Sequence, residues 1–200
     1  ELLSQFATIL MYAAGNRDFE VLTKISATGI KGISEKDFTK LGEEVYTNHL
    51  INTIYPESRE LIKSHLEKNH KVVIISAATR YQITPIAKEL GIKDIYCTEM
   101  EVRKGKFTGK ISEMCWAEGK ARAGKKFAKA NNIDLSKSFF YTDSIDDYPL
   151  LEIVGFPVAT NPDSKLSQIA FESNWPILRF KETTKKPIIN GVRTGLAAAS

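Results

Sequence analysis

The sequence predicts an α/β protein, a doubly wound parallel sheet with a small helical cap on its amino-terminal side. Two observations lead to this fold class. Between residues 56 and 180, short runs of β-branched and aromatic residues alternate with amphipathic helical stretches, as in a parallel sheet covered by helices. Residues 1–55 show only helical spacing. The predicted divisions are therefore a cap at 1–55, a core at 56–180 and a basic linker, or the start of a further segment, at 181–200.

The composition is typical of a globular protein with one domain and a small accessory lobe. The chain has 200 residues, 42% of them hydrophobic, and a formal net charge of +4. Its basic residues are scattered among acidic ones, which predicts no nucleic-acid partner. Cys97 and Cys115 lack metal-type spacing, so we expect reduced thiols in a cytoplasmic protein. His49, His65 and His70 form no ligand pattern and are expected to be surface or packing residues.

Three helices are predicted in the cap. Their apolar stripes begin at Leu2, at Phe19 and, after the N-cap residue Ser34, at Phe38. In the core, a helix at 57–69 precedes a strand at 72–76, whose consecutive β-branched residues indicate burial on both faces. The later elements follow in chain order: a helix ending at Leu90, a strand at 95–97, a hairpin over 100–111 with its turn at 103–106, a helix at 117–131, a strand at 139–142, a helix through 150–154, a strand at 156–159, a helix around 166–170 and a strand at 175–180.

Carboxylates gather directly after the strand Phe139–Thr142. Asp143, Asp146 and Asp147 fall within five positions, at the carboxyl end of a strand whose aromatic run predicts burial. Ligands bind at that edge in open α/β sheets, and carboxylates this close repel one another unless a cation or protons neutralise them. Oxygen ligands of this kind suit Mg²⁺. The alternative is a solvated acidic loop in which Asp143 or Ser144 caps the next helix.

Two further polar groups are predicted at the same edge. Ser76 ends the predicted strand at 72–76. Lys120 lies in the first turn of the helix that leads to the strand Phe139–Thr142. Lys120 falls beside the buried stripe of its helix, so it must meet an anion or extend to water. A hydroxyl, an ammonium and a metal-bound carboxylate together can hold a phosphoryl group. No nucleophile or base is evident among them.

These residues resemble the motifs of a known family. Val73-Ile74-Ile75-Ser76, Lys120 and Asp143-Ser144-x-x-Asp147 resemble motifs two, three and four of the haloacid dehalogenase-like phosphohydrolases, in the subfamily similar to phosphoserine phosphatase. The resemblance implies a Rossmann-like core with a cap and hydrolysis of a small phosphomonoester, or of a lipid phosphate, through an aspartyl-phosphate. It also implies site roles: phosphate binding by Ser76 and Ala77, support of phosphate and nucleophile by Lys120, and Mg²⁺ binding by Asp143 with help from Asp147.

The sequence departs from that family in two ways. Thr142 replaces the glycine before the metal aspartate, which is expected to crowd the loop. No D-x-D motif, which carries the nucleophile on the family's first strand, occurs in the chain. We therefore expect a chain cut just before Glu1, with an exposed slot in its core, low stability and no activity alone. The tail at 191–196 resembles junctions to glycerophospholipid acyltransferase domains, and only such a fusion would imply membrane association.

Three other interpretations of the same residues stay open. A phospho-acceptor receiver domain also combines acids, a hydroxyl and a lysine, but in another order and without a helical lobe. A non-catalytic module with a hydrolase-like fold would explain a missing nucleophile. A nucleotide-binding Rossmann domain is disfavoured, because no glycine-rich fingerprint follows any predicted strand. The sequence carries no signal for oligomeric state.

Overall fold

A computed structural model describes residues 19–181 of the chain. The first predicted helix and nearly all of the linker lie outside these residues. The helices are α1 (Phe19–Gly29), α2 (Glu35–Val45), α3 (Pro56–Glu67), α4 (Arg80–Glu89), α5 (Glu118–Asn131), α6 (Tyr148–Leu151) and α7 (Ser164–Glu172). The strands are β1 (Val73–Thr79), β2 (Asp94–Arg103), β3 (Lys106–Glu113), β4 (Phe139–Thr142), β5 (Phe156–Thr160) and β6 (Ile177–Leu178). A π-helical turn covers Tyr46–Leu50, and 3₁₀ turns cover Leu135–Lys137 and Ile145–Asp147.

The strands form two sheets of three. In the first sheet β1 pairs with β2 in parallel, and the second half of β2 forms an antiparallel hairpin with β3. In the second sheet β4, β5 and β6 are all parallel. Helices connect the parallel strands, and the predicted α/β class is confirmed. None of the helices in the described part of the chain is long and apolar enough to cross a bilayer.

A cleft of about 840 Å³ separates the two sheets. One side is lined by β1 at 73–75 and the other by the whole of β4, while α3 and α5 contribute Ile62, His65 and Phe127. Within residues 19–181, β1 pairs only with β2 and β4 only with β5. Each therefore presents an edge of unpaired backbone groups toward this β1–β4 cleft.

The cleft explains why two predictions about burial are wrong. The strand at 72–76 was expected to be buried on both faces, but Val73 to Ser76 are only partly buried. The aromatic run of β4 was also expected to be buried, yet Phe139 is 45% exposed. A strand beside an open cleft lacks the neighbour that would cover its edge.

The cap helices pack against α4 and the hairpin through a shared apolar cluster. The rings of Phe38, Tyr81 and Phe107 meet edge to face, with centroids 5.1 to 5.3 Å apart. Gly42 of α2 faces the backbone of Tyr81 so closely that an added Cβ would lie 2.2 Å from its carbonyl oxygen. The cap chain also bonds to the hairpin, since the Phe107 amide donates to the Ile33 carbonyl.

Two strand boundaries differ from the prediction because pairing decides them. β1 continues through Ser76 to Thr79, with a register irregularity between these two residues where Ser76 pairs with Cys97 and Thr79 with Thr98. The strand at 95–97 and the first arm of the hairpin are one continuous strand, β2. Neither feature follows from local sequence, because both depend on where the neighbouring strand lies.

Candidate active site

Lys120 and Asp147 form a buried ion pair at the carboxyl end of β4. The Lys120 Nζ donates to Asp147 Oδ2 at 2.8 Å and lies 2.6 Å from Oδ1. The two side chains are 13% and 4% exposed. The expectation that Lys120 must meet an anion or extend to water is therefore resolved in favour of the anion. Asp147 Oδ1 is buried, and its partner among the described residues is the Lys120 ammonium.

Thr142 supports this pair instead of only crowding the loop. Its hydroxyl donates to Asp147 Oδ2 at 2.5 Å and accepts from the Ser144 amide at 3.3 Å. The side chain is buried, so the hydroxyl acts in a low-dielectric setting where such bonds are strong. The residue that replaces the family glycine thus has a contact that only a hydroxyl or another donor can make.

Residues 143–147 are here called the acidic loop, and their second half, Ile145–Asp147, forms a 3₁₀ turn. Ser144 caps this turn by accepting from the Asp146 amide at 3.2 Å, so the expected capping role belongs to Ser144. Burial raises the pKa of Asp143, its own backbone amide and Lys120 lower it, and the negative charges of Asp147 and Asp163 raise it. The net direction is upward, so the surroundings of Asp143 disfavour its charged form.

Ser76 reaches the same region through Cys115. The Ser76 hydroxyl accepts from the Ala78 amide at 3.2 Å, at the irregular end of β1 that also contains Ala77. The Ser76 backbone and the charges of Lys120 and Asp147 all act on the Cys115 thiol, which indicates that Ser76 lies near the ion pair. Burial raises the pKa of the Cys115 thiol to about 11, so this cysteine is a neutral packing group.

Asp163 was missed from the sequence although a signal was present. It follows Asn161-Pro162 and precedes an apolar helical run, which is the pattern of an N-cap. Its Oδ1 accepts from the Leu166 amide at 2.8 Å and its Oδ2 from the Ile145 amide at 2.8 Å. The second bond connects α7 to the acidic loop, and sequence spacing alone could not reveal it.

Two of the three histidines, expected to be surface or packing residues, lie together at the β1–β4 cleft. The Nδ1 atoms of His65 and His70 are 2.9 Å apart. His65 Nε2 lies 2.9 Å from the Tyr141 hydroxyl on the other side of the β1–β4 cleft. Burial, then the neighbouring His70 and Lys68, lower the pKa of His65.

The carboxylates of the acidic loop suit a magnesium ion in number and kind. No group of three or more His, Cys, Asp or Glu residues within 19–181 is arranged to hold a metal. Mg²⁺ often takes only one or two protein carboxylates and completes its coordination with substrate oxygens and water. Asp143, whose charged form is disfavoured by burial, would provide one such oxygen, and Asp147 Oδ1, which lies 2.6 Å from Lys120 Nζ, would provide a second. The donor set therefore fits Mg²⁺.

An α/β core with a cap, and a lysine–carboxylate pair where the parallel strands end, are the features that the resemblance to the haloacid dehalogenase-like phosphohydrolases predicts. The sequence model of the haloacid dehalogenase-like hydrolases matches residues 1–152. The chain belongs to this family, and the predicted resemblance is confirmed.

Two curated relatives carry phosphatase names. A phosphoserine phosphatase of Mycobacterium tuberculosis is 35% identical over 169 residues, which cover 84% of this chain and 54% of that protein. A histidinol-phosphatase of Neisseria meningitidis is 32% identical over 175 residues, covering 85% and 79% of the two chains. This chain thus spans about half the length of the mycobacterial relative.

Solved structures share the fold. A Bordetella pertussis protein of unknown function superposes with a TM-score of 0.76 at 24% identity, covering 86% of this chain and 79% of that one. A probable phosphoserine phosphatase of Vibrio cholerae gives a TM-score of 0.66 at 21% identity, covering 90% and 53%. At these identities the likeness concerns the fold.

Proposed function

We propose that this chain forms the core of a Mg²⁺-dependent phosphomonoester hydrolase that acts through an aspartyl-phosphate. The observation that carries the proposal is the buried contact of Lys120 with Asp147, beside Asp143 at the end of β4. A structural ion pair alone would not need a second, poorly compensated carboxylate next to it. A phosphoryl group and its metal ion would supply the missing partners.

The residues of the chain have distinct roles in this proposal. Asp143 and Asp147 hold Mg²⁺, which neutralises charge on the phosphoryl oxygens when bound. Lys120 steadies the phosphate and the attacking carboxylate, and Ser76 with the Ala77 backbone donates hydrogen bonds to phosphate oxygens. The nucleophilic carboxylate would form a bond to phosphorus as the bond to the alcohol breaks, and the second aspartate of the D-x-D motif would give its proton to the leaving alcohol. The same aspartate would then take a proton from the water that attacks phosphorus, which releases inorganic phosphate and the free carboxylate.

The nucleophile belongs, in this proposal, to a strand that fills the β1–β4 cleft. The two unpaired strand edges supply backbone partners on both sides of such a strand. Asp143 and Thr142 line the cleft, so a carboxylate at the carboxyl end of the added strand would enter the site beside Lys120. The sequence of the chain contains no D-x-D motif to serve this purpose.

The substrate class is a small phosphomonoester. The relatives' names point to phosphorylated amino acids or amino alcohols, such as phosphoserine and histidinol phosphate. A lipid phosphate is the second candidate to include in a substrate panel. The cap is expected to select the substrate, and its polar residues include Arg17 and Asp18, which lie outside residues 19–181, and Asn48 and Asn52.

The proposal is tested by completing the sheet. A segment of about 20 residues, with a strand ending in D-x-D, is fused before Glu1, and hydrolysis of para-nitrophenyl phosphate is followed with and without Mg²⁺. We expect Mg²⁺-dependent release of phosphate, and its loss when the first aspartate of the fused motif is replaced by asparagine. Phosphoserine, histidinol phosphate and phosphatidic acid then serve as candidate substrates.

A non-catalytic module is the second candidate, since the chain lacks the nucleophile motif. The two candidates differ in one outcome. A completed chain that folds cooperatively, binds Mg²⁺ and still releases no phosphate from any of these esters would contradict the enzymatic proposal and favour the module.

A further inference from the structure

Asp163 connects two parts of the molecule that both approach the acidic loop. Its Oδ1 accepts from the Leu166 amide and caps α7. Its Oδ2 accepts from the Ile145 amide at 2.8 Å, and its own amide donates to the Asp143 carbonyl at 2.8 Å. Asp163 is therefore bonded to the chain on both sides of Ser144.

These two bonds constrain the backbone that carries Asp143. The Asp143 carbonyl and the Ile145 amide are separated by only two soft dihedral angles, the φ and ψ of Ser144. When both groups are bonded to one rigid neighbour, the loop has few alternative conformations. The direction of the Asp143 side chain follows from that backbone.

Capping alone does not require this arrangement. Asp134 caps the turn Leu135–Lys137 in a comparable position, and its Oδ1 accepts from both the amide and the hydroxyl of Ser136. Those bonds stay within its own turn, at the opposite end of β4. The bond from Asp163 to the Ile145 amide instead crosses from the β5–α7 connection to the acidic loop.

We infer that Asp163 is a positioning residue that holds the acidic loop, and with it Asp143, in the conformation that binds a divalent cation. The inference rests on the proposed function, because it assigns Asp163 a part in the same site. Its carboxylate also adds negative charge beside Asp143. Neighbours that orient a ligand in this way commonly change metal affinity by tenfold or more when removed.

The test uses Asp163→Ser, because serine still caps a helix but lacks the second carboxylate oxygen, which accepts from the Ile145 amide. Mg²⁺ binding is measured by titration calorimetry, and amide hydrogen exchange is measured at Ile145 and Leu166. We expect about tenfold weaker Mg²⁺ binding and faster exchange at Ile145, with Leu166 still protected. The matched control Asp134→Ser should change neither quantity.

High salt distinguishes an electrostatic effect of Asp163 on Mg²⁺ affinity from an effect on the position of the acidic loop. At about 1 M KCl the screening length falls to about 3 Å, so a purely electrostatic effect of Asp163 should shrink. We expect most of the loss in affinity to persist there.

Each contrary result has a separate meaning. Unchanged Mg²⁺ affinity in Asp163→Ser, despite faster exchange at Ile145, would overturn the positioning role. Unchanged exchange at Ile145 would contradict the hydrogen bond from the Ile145 amide to Asp163. An unsubstituted chain with a protected Ile145 amide and no Mg²⁺ binding would overturn the metal site of the proposed function, and the role of Asp163 with it.

Discussion

Replacing Lys120 by methionine tests whether this lysine balances the buried charge of Asp147. The substitution keeps a long apolar stem but leaves a carboxylate that is 4% exposed without its cation. Breaking a buried pair in this way typically costs about 3–5 kcal/mol. The Thr142 hydroxyl still donates to Asp147, so we expect the lower end, about 3 kcal/mol.

The assay is equilibrium urea unfolding at about 10–20 °C, where a marginal domain is usually most stable. Lys126→Met is the matched control, because Lys126 lies on the same helix and its contact with Glu113 is long and exposed, at 3.9 Å. The control should stay within about 0.5 kcal/mol of the unsubstituted chain. Adding Asp147→Asn to Lys120→Met should recover much of the lost stability. A Lys120→Met variant as stable as the control would refute the reasoning that the pair is buried and mutually dependent.

Three further predictions concern other contacts. Thr142→Val should lower the free energy of unfolding by about 1.5–3 kcal/mol, because it removes a hydrogen bond to a charged group, whereas Thr142→Ser should keep most of it; equal losses in urea unfolding would argue against the bond. The pKa of His65 is lowered in the folded chain, so protonation of His65 should cost no free energy of unfolding above pH 6.5, the ordinary histidine pKa. The free energy of unfolding should then fall as the pH drops from 6.5 through the lower folded-state pKa. This dependence on pH should be weaker in His65→Gln, and an identical dependence would assign it to other groups. An added Cβ at Gly155 would lie 1.7 Å from the Ser136 carbonyl oxygen, so Gly155→Ala should lower the thermal midpoint with a cost of about 1–3 kcal/mol, and an unchanged midpoint would contradict this close approach.

Local pattern predicted the elements of the core well because each has a distinct signal. The β-branched run before Ser76 and the aromatic run before Asp143 both form strands, and Lys120 lies in the first turn of its helix as expected. For Lys120 the sequence left two alternatives, an anion or extension to water, and the structure shows the anion, Asp147.

Features that depend on pairing across the sheet could not be predicted. The continuation of β1 beyond Ser76 depends on its register with β2. The contact of His65 with Tyr141 joins residues 76 positions apart. For Thr142, the sequence showed a bulkier residue than the family glycine but not where the Asp147 carboxylate would lie. Such contacts are decided by tertiary packing, which single-sequence patterns do not contain.

The central claim is that the two sheets are halves of one sheet, joined by a strand in the β1–β4 cleft. Amide hydrogen exchange of β1 and β4, compared before and after fusion of the D-x-D segment, tests it most directly. The account predicts that amides facing the cleft exchange fast in the chain alone and become protected on both strands together. Protection of only one strand, or of neither in a folded fusion, would contradict it.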